Sequence, residues 1–171
     1  GYEGLGSIYW HMVSKLLLAT QESYISGVKN KDDAVVLGKL KDHYYEIKAG
    51  IGLYKSPKLY GAFPTDAYSH TPCNSGAKQP GLTGQVKEDF ISRFGELGVD
   101  VNNGEITFSP SLLNHHEVLN QEQTFHYFAI DGSEKSIELK PGQLAFTFCQ
   151  TPVTYTFGDV QKIRVHYANG S

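Results

Sequence analysis

The stretch "PGLTGQVKEDFISRFGELGV", residues 80–99, decides how the chain divides. Pro80, Gly81, Thr83 and Gly84 make a loop with free backbone directly ahead of a periodic run. Glycine supplies positive φ there, and Thr83 is suited to cap the helix that follows. Val86, Phe90, Phe94 and Leu97 then fall at i, i+4, i+8 and i+11, and Gly98 closes the run. The spacing predicts a helix over 83–97 with this apolar stripe turned to a core. A helix start that offers backbone N–H groups and a hydroxyl is also, chemically, a seat for an anion or a sugar.

Behind Gly98 the texture changes to short runs of strand character. They are "EITFS", "TFHYFAI", "KSIELK", "QLAFTFC", "VTYTF" and "QKIRVHYA", with "NNG", "DGS" and "PG" among the turns. Six strands so spaced predict an antiparallel sandwich. Ahead of residue 80 the period is helical. "SIYWHMVSKLLLATQESY", from Ser7, reads as a helix buried on most sides, and a second helix starts at Asp32 or Asp33 and ends at Gly50 and Gly52. The fold class is therefore α+β, with helices over 1–98 and a β-sandwich over 99–171. Residues 55–83, rich in proline but holding Tyr60, Phe63 and Tyr68, read as a long ordered surface loop.

Composition narrows the function classes. At 171 residues the chain can bury a core of its own, and 15 basic against 18 acidic side chains leave a net charge of -3, which points to no nucleic-acid partner. Cys73 and Cys149 have neither disulfide-framework nor zinc spacing, so no metal is expected. No phosphate-binding loop, dinucleotide fingerprint or nucleophile elbow is present, so no cofactor is expected. "KLLLA" is too short to span a bilayer and no leader precedes it, which fits a cytoplasmic protein or one exported after leader removal. The start at Gly1, inside what reads as a motif, suggests a fragment of a longer protein.

The candidate chemistry lies in carboxylates and histidines. Glu3, Asp66, Glu88 and Asp89 stand in or beside Gly- and Pro-rich segments, and two carboxylates roughly 6.5–9.5 Å apart would support inverting sugar hydrolysis. Glu88 is also what the dipole favours in any first helical turn. His11 on an apolar helix reads either as a satisfied core residue or as a ligand. His70 and Cys73, three apart, are too few for a metal site, and His115–His116 reads as a solvated turn. Eleven tyrosines suit sugar sites and sandwich cores equally.

Several stretches, in order, resemble the C-terminal end of the (α/α)6-toroid enzymes that act on oligosaccharides, especially the cellobiose phosphorylase type. "YEGLGSIYWHMVSKLLLA" is similar to the segment that leads into a toroid helix carrying a phosphate-binding histidine, a place taken here by His11. "YGAFPTDAYSH" is similar to a loop bordering the substrate cleft. "PGLTGQVKEDFISRFGELGV" resembles the Thr-Gly loop and its helix, and "NGEITFSPSLL" the strand and turn that open the capping sandwich.

The resemblance implies the last toroid helices and a sandwich, with an oligosaccharide substrate and, for a phosphorylase, inorganic phosphate. It implies that Thr83, Gly84 and Gln85 contact phosphate or substrate, and that Glu3, Tyr68 and His70 face the substrate. Gln85 to Glu88 replace the small residues usual after Thr-Gly, so a hydrolase using Glu88 or Asp66 as base fits as well. The family's general acid lies upstream, so the isolated chain is expected to be inactive and to self-associate through exposed helix faces. The other reading is a non-catalytic glycan- or protein-binding module on a helical scaffold.

Overall fold

The computed structural model describes residues 10–53, 85–159 and 162–166. Helix α1 spans Trp10–Asn30, α2 Ala34–Lys48 and α3 Gln85–Glu96, with a π-helical turn, Ala49–Leu53, after α2. Six strands follow: β1 Val99–Asn102, β2 Glu105–Phe108, β3 Gln123–Phe128, β4 Glu134–Leu139, β5 Gln143–Phe148 and β6 Thr151–Thr156. The class is α+β, as expected. Among the described residues the strands pair as three antiparallel hairpins, β1-β2, β3-β4 and β5-β6. Among the described residues no helix is long and apolar enough to cross a membrane.

Two compact units divide the chain, Gly1–Leu113 and Asn114–Ser171. The change of texture lies earlier, at Gly98, because the first hairpin looks like the others in sequence yet is fastened to the helices. Gly98 ends α3 with φ 70, and its carbonyl accepts from Ser109 N at 2.8 Å; a β-carbon there would overlap the Ser109 backbone. Beyond β2, Tyr24 Oη donates to Ser111 O at 3.1 Å and Tyr45 Oη to Leu112 O at 2.8 Å. Lys41 Nζ reaches both Ser111 O and Leu113 O. Burial pushes the Lys41 ammonium below its ordinary value, against the pull of Asp42.

In the first unit, α1 ends in a six-to-one bond from Asp32 N to Gly27 O, with Lys31 in the left-handed region at φ 59. Asp33 then caps α2, its Oδ1 accepting from Val35 N and Val36 N. The sequence reading of an acidic start at Asp32 or Asp33 thus holds. The apolar core joins Leu17, Tyr24, Tyr44, Ile51 and Leu112, and burying a leucine such as Leu112 contributes about 1.5–3 kcal/mol. One expectation fails here: α1 is not buried on most sides, since Met12 is 62% and Leu16 55% exposed.

Helix α3 overturns a second expectation. Its apolar stripe was expected to face the core, and Leu97 does, but Phe90 is 64% and Phe94 36% exposed, with Ile91 beside them also in solvent. The buried side is polar: Glu88, Ser92 and Glu96, at i, i+4 and i+8. Lys15 meets Glu88 and Gln21 meets Ser92, so α3 runs in the same sense as α1. The polar face wins because α1 and α2 offer it charged and hydrogen-bonding partners, described below.

In the second unit, burial alternates along β3 and β4. Phe125 faces Ile137 across β3-β4, while Leu144 faces Tyr155 and Phe146 faces Val153 across β5-β6. Leu139 and Leu144, on either side of the Pro141-Gly142 turn, are its buried residues. That turn closes with Gln143 N donating to Lys140 O, Gly142 standing at φ 83 where a Pro-Gly pair needs positive φ. The run "QKIRVHYA" was expected to be a sixth strand of the sandwich. Its described part, residues 162–166, forms none, and Ile163 and Val165 are 76% and 61% exposed, because no neighbouring edge has taken it up.

Candidate functional site

The densest polar chemistry lies where α3 meets α1 and α2. Tyr44 on α2 is fully buried and donates from Oη to Glu96 Oε1 at 2.6 Å. Lys48 Nζ, one turn on, donates to the same Oε1, and Arg93 NH1 donates to Oε2 at 2.7 Å. Gln21 of α1 fills the space between, its Nε2 donating to Ser92 O at 2.7 Å. Burial alone would raise the Glu96 carboxyl; the hydrogen bonds from Lys48 and Tyr44, the Lys48 charge and the Arg93 bond outweigh it, so Glu96 is held below the ordinary carboxylate range. Burial raises the Tyr44 phenol well above its ordinary value, reinforced by the charge of Glu96. Glu96 is thus a fixed anion with three donors, suited to hold helices together rather than to pass a proton.

Glu88 lies two turns earlier on the same face of α3. Its side chain is 2% exposed and accepts from Lys15 Nζ at 3.0 Å. Asp89, beside it, is exposed, and its carboxyl is raised above the ordinary value. Although the side chain is exposed over its surface as a whole, protein atoms around the carboxyl partly desolvate it, which is the main cause; the Lys48 charge offsets this and Glu88 and Glu96 add repulsion. An accessible carboxyl with a raised pKa is the kind that serves acid–base chemistry. The sequence marks Asp89 only as one of the carboxylates behind the Gly-rich loop, since its shift depends on Lys48 and Glu96, which the fold brings near.

Of the other residues singled out in the sequence, His11 and Gln85 lie in α1 and α3, their side chains outside what is described. Glu3, Asp66, Tyr68, His70, Thr83 and Gly84 lie outside the described residues. His115 and His116 sit exposed in a 3-10 turn, His115–Glu117, that Asn114 caps through its Oδ1, which fits the solvated-turn reading.

The second unit holds an open groove of about 480 Å³ lined by Phe125, Tyr127, Phe128, Phe146, Thr147 and Gln150. Phe125 and Tyr127, on one face of β3, stack at 5.9 Å between centroids and 15° between planes. Phe146 meets Tyr155 edge-on at 5.4 Å, and Tyr155 meets Phe157 at 6.2 Å. Burial pushes the Tyr155 phenol up to about 12, so it stays a neutral donor at any physiological pH. Flat ring pairs with hydroxyl and amide groups beside them can take a sugar ring or an extended peptide.

Compared with known proteins, the chain matches no family model and no curated protein.

Proposed function

We propose that the chain is the C-terminal part of a carbohydrate-active enzyme, an inverting glycoside hydrolase or phosphorylase acting on oligosaccharides, with its helices belonging to an α/α toroid and its hairpins to the sandwich that caps it. The observation that carries this reading is the reversed packing of α3. A helix that buries Glu88, Ser92 and Glu96 while leaving Phe90 and Ile91 in solvent, beside an α1 with Met12 and Leu16 outward, belongs in a larger helical layer that covers those side chains. The order of the motifs supplies the enzyme class.

In this reading Glu88 is engaged by Lys15 and sets the helix spacing, whereas Asp89 is the carboxylate with access to substrate. His11 and Thr83 serve phosphate in the phosphorylase version, and Asp66 remains the other base. The test is turnover of oligosaccharides by the full-length enzyme with and without inorganic phosphate. Phosphate-dependent turnover lost in His11→Ala and Thr83→Ala supports a phosphorylase. Phosphate-independent hydrolysis lost in Asp89→Asn supports a hydrolase, and no sugar turnover under either condition removes the reading.

A second reading, a glycan-binding module without catalysis, draws on the Phe125–Tyr127 ring pair in the groove of the second unit. Chemical-shift changes confined to that groove on adding neutral oligosaccharides, with no turnover, would favour it.

A further inference from the structure

The hairpin β3-β4 has an open edge along β4, and residues 162–166 form no strand although their side chains alternate. These two features fit one another in pattern. Along β4, Glu134, Ser136 and Glu138 point to the outer face, while Ile137 and Leu139 turn inward. Residues 162–166 read Lys, Ile, Arg, Val, His: cations at every other position, with β-branched residues between. The strand that the carboxylates of β4 pair with, β3, offers them one histidine and no lysine or arginine. Glu138 takes the Thr124 hydroxyl at 2.9 Å, and Glu134 stands 3.8 Å from His126 Nδ1.

We propose that residues 162–166 of a second copy of this chain add to the free edge of β4 as an antiparallel strand, and that the exchange is reciprocal, closing a two-fold dimer. In the register that matches both faces, Lys162 stands opposite Glu138, Ile163 opposite Ile137 and His166 opposite Glu134. Arg164, opposite Ser136, is then diagonal to both carboxylates, a spacing long side chains cross. Ile163 and Val165, now 76% and 61% exposed, join the inward face with Ile137 and Leu139. A one-residue slip would turn the basic residues inward and the apolar residues out, so the face that each side chain takes is specified.

The donor is a second copy for a reason in the chain's own path. After β6 the backbone stays with its hairpin, Phe157 N donating to Gly142 O at 3.1 Å, and its own residues 162–166 are not on the β4 edge. Each chain therefore carries both an unpaired edge and an unpaired strand, and reciprocal exchange satisfies both with one two-fold axis. A short strand from each copy is a small interface, so the dissociation constant of the dimer is expected to be low micromolar or weaker. This inference does not rest on the proposed enzymatic role.

Two experiments on the full chain test it. In a Cys73→Ser, Cys149→Ser background, Ile137→Cys with Ile163→Cys is expected to form, on mild oxidation, a covalent dimer whose peptide map joins positions 137 and 163 of different chains. An intramolecular 137–163 disulfide, or dimers joined only 163 to 163, would overturn the exchange. Separately, light scattering should show Lys162→Glu with Arg164→Glu weakening dimerisation by about tenfold or more, and adding Glu134→Lys with Glu138→Lys restoring most of it. All four substitutions are at exposed positions, and circular dichroism checks that each variant folds. Dimerisation indifferent to the first pair, or not restored by the second, would refute the proposal.

Discussion

The side-chain amide of Gln21 occupies the space that a β-carbon on residue 95 would take, and its Nε2 donates to Ser92 O at 2.7 Å. Gly95 therefore leaves room for a side chain of α1 against the backbone of α3. It lets a buried amide from one helix lie against the backbone of the other.

Gly95→Ala tests that approach. In an exposed helix the change would stabilise by roughly 0.8–1.0 kcal/mol through propensity. Here the added methyl displaces the amide of Gln21, which is 2% exposed and loses its bond to Ser92 O, and overpacking of this kind costs about 1–3 kcal/mol. The expected outcome is net destabilisation in urea melts. Gly38, which meets nothing within 4 Å, is the control, and Gly38→Ala should stabilise.

Acid stability follows from Glu96. Its carboxyl is lowered in the folded chain, so the stability it contributes is present above its ordinary value of 4.5 and is lost as pH falls through the lower folded value. Glu96→Gln should cost about 1–3 kcal/mol at pH 7, by leaving Lys48 and Arg93 without their shared anion. It should also flatten the loss of stability below about pH 4.5. Asp89 has the opposite sign. Its raised carboxyl opposes folding once ionised, so Asp89→Asn should leave neutral stability unchanged or slightly higher, by a few tenths of a kcal/mol given its exposure. Chemical melts across pH 3–7 would check both directions.

How far the sequence could be read follows from where the deciding partners lie. The turns are local and were legible: Asp33 capping α2, Asn103-Gly104 at φ 51 and 81, and Pro141-Gly142 are set by side chains within a few residues. The direction of α3 was not, because periodicity locates an apolar stripe without saying which face is buried. Burying the Glu88–Glu96 side instead requires Lys15, Tyr44 and Lys48, which lie about 50–70 residues away. β1 was missed because "VDVN" is short and half polar; Lys29, bonded to Asp100 at 2.9 Å, is among the contacts that hold it to the helices. Of the candidate site, Glu88 and Asp89 could be named from the loop ahead of them, but not the Lys15 partner of the first or the nearby Lys48 of the second.

The exposed stripe predicts self-association of the isolated chain through its helices. Phe90 and Leu16 are 64% and 55% exposed, so Phe90→Gln with Leu16→Gln removes apolar surface without opening the core. The double variant should change unfolding free energy by less than about 1 kcal/mol, as exposed substitutions do. Light scattering at high concentration should show less of the larger species while leaving any strand-exchanged dimer. Unchanged association would mean these helix faces are not what the copies share.

The last prediction concerns the β5-β6 turn. Cys149 and Gln150, the two residues between the strands, both stand at positive φ, 49 and 60, with Phe148 and Thr151 paired across them. That is the left-handed pair a two-residue hairpin requires, and neither side chain favours it, whereas Asn103-Gly104 fills the same role in β1-β2 with residues that do. A non-glycine residue in this region carries a cost on the order of 1 kcal/mol. Cys149→Asn with Gln150→Gly should therefore stabilise the second unit by about 1 kcal/mol, less the entropy that glycine adds to the unfolded chain. Hydrogen exchange at Leu144, Phe146 and Tyr155 amides would read the change, and slower exchange confined to β5 and β6 is the expected result. Faster exchange there would show that the Cys149 and Gln150 side chains contribute contacts worth more than the backbone strain they carry.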